Sequence, residues 1–226
     1  MKSFILTAAF SFLFLTGFAQ PIFVRLHTNK GDILLRLYDE TPKHRDAFIK
    51  SIRDGLFDRA NFNRVIKSFV SQGGELDETI LDREKQHPEL PLKRIDAEIM
   101  PNLFHKKGAL GAGRNDNPEK MSYLTQIYLV AGKKQTDAQL DSLEQKKGIK
   151  FSAKQRTVYK TIGGIPRLDH DYTVFGEIVQ GMDVADAINA TATNKDDLPL
   201  SPIVFTPEIL SEQESRKIQS KLPSIE

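Results

Sequence analysis

The sequence predicts a mainly β domain with several short helices, and three stretches carry this prediction. Residues 22–38 largely alternate apolar and polar side chains around a turn at residues 29–32, which is typical of a β-hairpin. Residues 61–75, NFNRVIKSFVSQGGE, are rich in aromatic and β-branched side chains and end in two glycines, which indicates a strand pair with a tight turn. Residues 125–130, TQIYLV, have the composition of a further strand.

A helix is predicted after the hairpin. Thr41 is a suitable N-cap, and Pro42 fits the first helical position. Phe48 and Ile52 share one face at a spacing of four residues, and Gly55 stands where a glycine often ends a helix.

The first nineteen residues have the pattern of a secretory signal peptide. A lysine at position 2 precedes an apolar run over residues 4–18, and Gly17 and Ala19 are the small residues of a cleavage site before Gln20. The alternative is a retained membrane anchor, but the apolar run is short for a span of about 20 residues. We therefore expect an exported, periplasmic protein with no integral membrane segment after signal cleavage.

Composition narrows the class of protein. The chain has 226 residues, with 32 Lys and Arg, 30 Asp and Glu, a net charge of +2 and no cysteine. Disulfides and thiolate metal sites are thereby excluded, and the interspersed charges give no sign of a nucleic-acid surface. The length suffices for one domain with a proper core. We expect a monomer without metal or cofactor.

Arg64 is the candidate functional residue of the strand pair. An arginine keeps its charge and is costly to bury without a partner. Either a carboxylate pairs with Arg64 in a structural salt bridge, or Arg64 lines a cleft and contacts a ligand. The residue type alone leaves both interpretations open.

The remaining segments are less regular. Residues 76–93 are charged and without a period, which predicts a surface loop. Residues 106–113 combine lysines with small residues, but the Gly-Lys-Ser/Thr of a phosphate-binding loop is absent, so room for a peptide backbone is the better explanation. The charged residues 211–226 predict a frayed helix or a disordered tail.

Residues 133–164 predict two short helices inserted between strands. Thr136 with Gln139, and Ser152 with Gln155, have the form of capping boxes, and Gly148 can end the first helix. The insertion is either a lid or partner-docking element beside a pocket, or a decoration packed on the domain.

Two blocks of sequence resemble the cyclophilin-type peptidyl-prolyl isomerases. Around Arg64, a phenylalanine stands two residues before, another five after, and Gln-Gly-Gly follows at residues 72–74. Residues 166–182, PRLDHDYTVFGEIVQGM, resemble the family's pattern of Leu-Asp, Val-Phe-Gly and Gly-Met. The Gln-Ile-Tyr of residues 126–128 is similar to a third family segment. The resemblance covers residues 23–210, interrupted by the insertion.

This resemblance implies a closed, eight-stranded antiparallel β-barrel with a helix at each end, spanning residues 20–210. Residues 183–188 would form the second end helix, residues 96–99 a short strand, and residues 203–210 would close the sheet. A closed barrel leaves no exposed strand edge.

The resemblance also implies isomerisation of X-Pro bonds in polypeptides. Arg64 would be the electrostatic catalyst, and Gln72 would orient it or bond the substrate carbonyl. The implied substrate-binding residues are Phe69, Val70, Tyr128 and Leu168 as a proline socket, and Asn63, Gly113, Gln126 and Tyr172 along the peptide groove. Taken singly, each apolar residue could be barrel core. The alternative function is a cyclophilin-fold peptide-binding or chaperone module with little turnover, in which the inserted helices bind partners.

The sequence departs from the family at three groove positions. Asn63 and Tyr172 stand where the family has histidine, and Arg167 stands where eukaryotic members often have tryptophan. The last change is expected to weaken binding of the cyclosporin drug class.

Overall fold

The computed structural model describes residues 20–222. The predicted signal peptide, residues 1–19, lies outside the described residues. The strands are β1 (Phe23–Thr28), β2 (Gly31–Leu37), β3 (Ala60–Val65), β4 (Val70–Gly74), β5 (Arg94–Ile95), β6 (Ala109–Ala112), β7 (Ser122–Tyr123), β8 (Gln126–Val130), β9 (Val174–Gln180) and β10 (Val204–Ile209). The helices are α1 (Pro42–Arg53), α2 (Asp77–Gln86), α3 (Asp137–Lys147), α4 (Ala153–Thr161), α5 (Met182–Asn189) and α6 (Glu212–Gln219).

Eight strands close into an antiparallel barrel in the order β1-β10-β3-β4-β8-β6-β9-β2, which confirms the predicted fold class. Strands β5 and β7 form a separate two-stranded sheet. Side chains from the inner faces of the eight strands make the main core, together with Phe48 and Ile49 of α1 and Ala185 and Ile188 of α5. Both helices therefore pack against the barrel and contribute to its core.

The start of α1 is stabilised differently from the sequence prediction. Thr41 is the N-cap residue, but its side chain makes no cap hydrogen bond. Instead the Glu98 carboxylate accepts from the backbone N–H groups of Lys43 and His44, each at 2.9 Å. A carboxylate at a helix N-terminus satisfies free N–H groups and complements the helix dipole. The cap is therefore supplied from 54 residues further along the chain.

Two predictions for the segment after β4 are wrong. Residues 76–93 contain helix α2 rather than only a loop, and Ile80 is its one buried residue, which is why the sequence shows no apolar period. Ion pairs from Arg83 to Glu75 and from Arg94 to Glu84 hold this helix. The short strand lies at β5 and not at residues 96–99, where Glu98 instead caps α1.

The insertion forms the two predicted helices. Both capping boxes are present, and Gly148 ends α3 with φ of 65°, a left-handed conformation that suits glycine. Leu140, Phe151 and Tyr159 pack with Phe104 in a small cluster of their own. Gly164 bridges the backbone of Lys106 and Lys133, which ties both ends of the insertion to the barrel.

The tail contains an ordered helix rather than a disordered segment over residues 212–219. A capping box between Ser211 and Glu214 starts α6. Ile218 and Leu222 pack against Phe23, Leu34 and Leu210 on the outside of the barrel. This contact buries Leu34, an apolar residue that interrupts the alternation of apolar and polar side chains in β2. No helix within residues 20–222 has the length and apolarity needed to cross a bilayer.

Candidate active site

One row of side chains crosses the outer face of four neighbouring strands. Arg64 of β3 is opposite Gln72 of β4, Gln72 is opposite Tyr128 of β8, and Tyr128 is opposite Gly111 of β6. Directly opposed residues of an antiparallel ladder project from the same face. The flanking residues Ile127 and Leu129 belong to the barrel core, so this row faces outward.

A β-bulge at Asn63 is what directs Arg64 outward. Phe62 pairs with Gly73 and Arg64 with Gln72, so two steps on β3 match one step on β4. Without the extra residue, Arg64 would share the inward direction of Phe62, which is 1% exposed in the core. The Asn63 side chain donates to the Gly74 carbonyl at 2.5 Å, which ties the bulge to the neighbouring strand.

Arg64 does not form a tight salt bridge. Its side chain is 43% exposed, and its Nε lies 3.9 Å from Oδ2 of Asp197, beyond hydrogen-bonding distance. Arg94 shows the contrast, because its side chain is 5% exposed and makes bonds of 2.8 and 2.6 Å to both oxygens of Glu84. Of the two interpretations of Arg64, the structure favours the one in which its donors remain available to a ligand.

The residues predicted for the proline socket meet beside this row. Val70, Tyr128 and Leu168 are buried, and Phe69 and Tyr172 pack against them half-buried. Together with Ala109, Val130, Ile165 and Val174 they form an apolar cluster outside the barrel core, which we call the outer cluster. The guanidinium of Arg167 lies 4.2 Å from the ring centroid of Phe69, and that of Arg114 lies 4.6 Å from the ring of Tyr172. In these cation–π contacts an arginine covers one face of each half-buried ring.

A buried polar chain supports Tyr128 from behind. Its hydroxyl lies 2.8 Å from Nε2 of His105, whose Nδ1 lies 2.7 Å from Oδ1 of Asp169. The Tyr159 hydroxyl of α4 donates to Oδ2 of Asp169 at 2.5 Å. Burial, reinforced by Tyr172 and Asp169, raises the pKa of Tyr128 well above its ordinary value, so this ring stays neutral. His105 and Tyr159 were not predicted from the sequence. They are linked only through Asp169, and no local sequence pattern indicates such a link.

Gln126 is more enclosed than its predicted groove role suggests. It is 2% exposed, and its amide nitrogen donates to the Glu75 carbonyl at 2.9 Å and to Oδ1 of Asp77 at 2.6 Å. A Cβ placed on Gly113 would come 1.8 Å from Oε1 of Gln126, and one on Gly111 would come 2.2 Å from the Tyr128 ring. At both glycines the protein's own side chains occupy the space that a Cβ would take, so glycine is required there. That these small residues let a peptide backbone approach stays a prediction.

Comparisons with known proteins identify the class of this barrel. Residues 23–207 match the family model described as cyclophilin type peptidyl-prolyl cis-trans isomerase/CLD. A candidate peptidyl-prolyl cis-trans isomerase of Staphylococcus haemolyticus is 30% identical over 190 residues, which cover 82% of this chain and 89% of the relative. The corresponding Staphylococcus aureus protein is 30% identical over 183 residues, covering 80% and 88%.

Solved structures show the same fold. The cyclophilin type peptidyl-prolyl cis-trans isomerase of Cryptosporidium parvum superposes with a TM-score of 0.61 at 19% identity, covering 84% of this chain and 98% of that one. A cyclophilin of Hirschia baltica gives a TM-score of 0.52 at 18% identity, covering 80% and 71%. The fold is that of a cyclophilin. The chain belongs to the cyclophilin-type peptidyl-prolyl cis-trans isomerases, and proline-containing peptides are its substrates.

Proposed function

We propose that this isomerase accelerates X-Pro rotation in exported proteins, and that Arg64 supplies the catalytic charge. Rotation about a peptide bond crosses a barrier of about 18–20 kcal/mol because amide resonance is lost. Uncatalysed X-Pro exchange takes roughly tens to hundreds of seconds, which is slow enough to limit folding. An exported protein that must fold after translocation gains from a catalyst of this step.

The chemistry requires a donor directed at the twisted amide. In the twisted geometry the prolyl nitrogen becomes pyramidal and gains a lone pair, while the carbonyl recovers double-bond character. A positive donor beside that nitrogen stabilises the twisted state more than the planar state, which lowers the barrier. An acceleration of about 10⁵ corresponds to roughly 7 kcal/mol of such differential stabilisation. The mechanism needs no acid, base or nucleophile, and an arginine keeps its charge at any working pH.

The outer cluster would hold the proline ring against this donor. Phe69, Val70, Tyr128 and Leu168 are apolar surfaces that the ring can contact, and Tyr128 is kept in place by His105. Gln72, which is 8% exposed between Arg64 and Tyr128, would orient the guanidinium or bond the substrate carbonyl.

The groove beyond the socket has four further candidates. They are Asn63, Gly113, Gln126 and Tyr172, which would contact the peptide on either side of the proline. The Oδ1 atom of Asn63 is buried and has no hydrogen-bond partner among the described residues. A movement of this side chain on binding would let it accept from a peptide N–H. Tyr172 presents a ring edge beside Tyr128, with centroids 6.2 Å apart.

The observation that carries the proposal is an exposed arginine, free of a tight ion pair, beside an apolar cluster. Isomerisation of a short X-Pro peptide by the chain from Gln20 onward tests it. Arg64→Ala should lower kcat/KM by about tenfold or more, equivalent to at least about 1.4 kcal/mol. Arg53→Ala is the matched control, because Arg53 is an exposed arginine at the end of α1, away from the outer cluster. An unchanged rate in Arg64→Ala, or no acceleration by folded wild type, contradicts the proposal.

Two further measurements address the alternative function and the location. Suppression of client aggregation that persists in Arg64→Ala would favour a chaperone module over a catalyst.

Export by residues 1–19 predicts that the protein recovered from a periplasmic fraction begins at Gln20, as N-terminal sequencing would show. Recovery of uncleaved protein in the membrane fraction would favour the anchor instead.

A further inference from the structure

A groove with a volume of about 430 Å³ lies between helix α3 and the turn that joins β3 to β4. Four of the residues that line it are cationic: Lys67, Lys133, Lys146 and Arg167. No carboxylate is among the described residues that line it. We call this concavity the basic groove.

The charges of α3 are sorted between its two sides. Its carboxylates at Asp137, Asp141 and Glu144 pair with Arg156 of α4, at 2.8, 2.8 and 3.3 Å. The side that lines the basic groove presents a stripe without acidic residues, namely Gln139, Ser142, Leu143 and Lys146. The pairing with α4 thus holds the acidic side chains of α3 away from the groove, whose charged lining residues are all cationic.

The groove cations have no carboxylate partner among residues 20–222. Lys67, Lys133 and Lys146 are exposed, and the guanidinium of Arg167 lies over the ring of Phe69. Clustered like charges in a concave surface concentrate ligands of opposite charge.

The basic groove continues from the socket on one side only. Phe69 and Ile165 line the groove and also belong to the outer cluster. Along β4 and β8 the pair Val70–Val130 lies at this end, and the pair Gly74–Gln126 lies at the other. A peptide whose proline contacts Phe69 would enter the basic groove with the residues that flank the proline on one side.

We propose that the basic groove is a substrate subsite that binds acidic residues on one side of the isomerised proline. This inference rests on the proposed function and names a substrate class for it, since the inserted helix α3 forms one wall of the subsite. Exposed ion pairs contribute about 0.2–1 kcal/mol each, so we expect a preference of about threefold to tenfold that weakens with salt.

The test compares X-Pro peptides of one length with two glutamates before the proline, two glutamates after it, lysines at the same places, or alanines throughout. One glutamate arrangement should raise kcat/KM about threefold to tenfold over the alanine peptide, and about 0.5 M salt should abolish the difference. Equal effects before and after the proline, or no preference for glutamate, overturn the proposal.

Two double variants, each of which removes two positive charges, test whether the glutamate preference arises in the groove. Lys133→Gln with Lys146→Gln should remove the glutamate preference and leave the rate with the alanine peptide unchanged. Lys30→Gln with Lys134→Gln removes two exposed lysines that do not line the groove and should keep the preference. If both pairs reduce the preference equally, net charge explains it and the subsite does not exist.

Binding separates failure of this inference from failure of the proposed function. Fluorescence anisotropy of a labelled glutamate-Pro peptide should show binding that is weakened about threefold or more in the groove variant, whether or not the bond is isomerised. Isomerisation of the alanine peptide without any glutamate preference leaves the proposed function intact and overturns the subsite. If neither peptide is isomerised but the glutamate peptide still binds through the groove, the proposed function is overturned and the binding subsite is supported.

Discussion

The outer cluster and the inserted helices both hold aromatic side chains in fixed positions, but by different means. Tyr128 is placed by strand register, because its neighbours Gln72 and Gly111 are set by ladders that join distant segments. Tyr159 is held mostly by neighbours within the insertion: a capping box at Ser152, the apolar side chains of Leu140 and Phe151, and ion pairs from Arg156. The comparison shows a site built from long-range pairing beside a unit whose order is mostly local.

A buried carboxylate joins the two regions. Asp169 accepts from Tyr159 of the insertion and lies against His105, which contacts Tyr128 of the outer cluster. A locally ordered unit therefore supports a residue of the proposed socket through two intervening side chains. Damage to the insertion that displaces this carboxylate should therefore move Tyr128.

The largest expected effect is a loss of stability, and it distinguishes the barrel core from the apolar cluster of the insertion. Leu129→Ala in the barrel and Leu140→Ala in the insertion each remove a side chain that is at most 3% exposed, at a cost of about 2–5 kcal/mol. Amide hydrogen exchange should show loss of protection throughout the barrel for Leu129→Ala, but mainly in α3 and α4 for Leu140→Ala. Equal loss of barrel protection in both variants would show that the insertion is not a separate unit of stability.

A smaller effect on stability is expected at two glycines, whose substitution should differ in its effect on activity. Gly111→Ala forces the Tyr128 ring to move, and such overpacking costs about 1–3 kcal/mol. Gly148→Ala meets nothing within 4 Å but retains φ of 65°, a strain of about 1–2 kcal/mol. We expect kcat/KM for an X-Pro peptide to fall about tenfold or more in Gly111→Ala, since the socket is displaced. Gly148→Ala should keep its activity, and equal activity losses would contradict the role given to Tyr128.

The same contrast explains how much could be predicted from the sequence. Both inserted helices and their capping boxes were predictable, because a cap involves residues three positions apart. The barrel and the cluster around Tyr128 were predictable through family resemblance alone. The outward direction of Arg64 was not predictable, because the bulge at Asn63 depends on the register against β4. Helix α2 was missed since ion pairs with Glu75 and Arg94, rather than an apolar stripe, hold it.

Removing the Tyr159 hydroxyl should weaken the contact between the two regions. Tyr159→Phe removes the donor to a buried carboxylate, which costs about 1–3 kcal/mol in the free energy of unfolding by denaturant. Because Asp169 also positions His105, we expect a rise in KM for the peptide with a smaller change in kcat. Tyr172→Phe is the control for stability, since no hydrogen bond of its hydroxyl to a described residue is present, and it should change stability little. A KM that stays at the wild-type value in Tyr159→Phe would show that the insertion does not act on the socket.

The smallest effect distinguishes a local cap from a distant one. Ser152→Ala removes a side chain that accepts from the Gln155 backbone N–H, and the loss of such a cap costs about 1 kcal/mol. Thr41→Ala should cost less, because its hydroxyl is buried with no hydrogen-bond partner among the described residues and Glu98 caps the helix instead. Thermal unfolding of both variants, with Glu98→Gln as a third, measures the difference. A larger loss in Thr41→Ala than in Ser152→Ala would show that the local pattern, and not the distant carboxylate, determines where α1 begins.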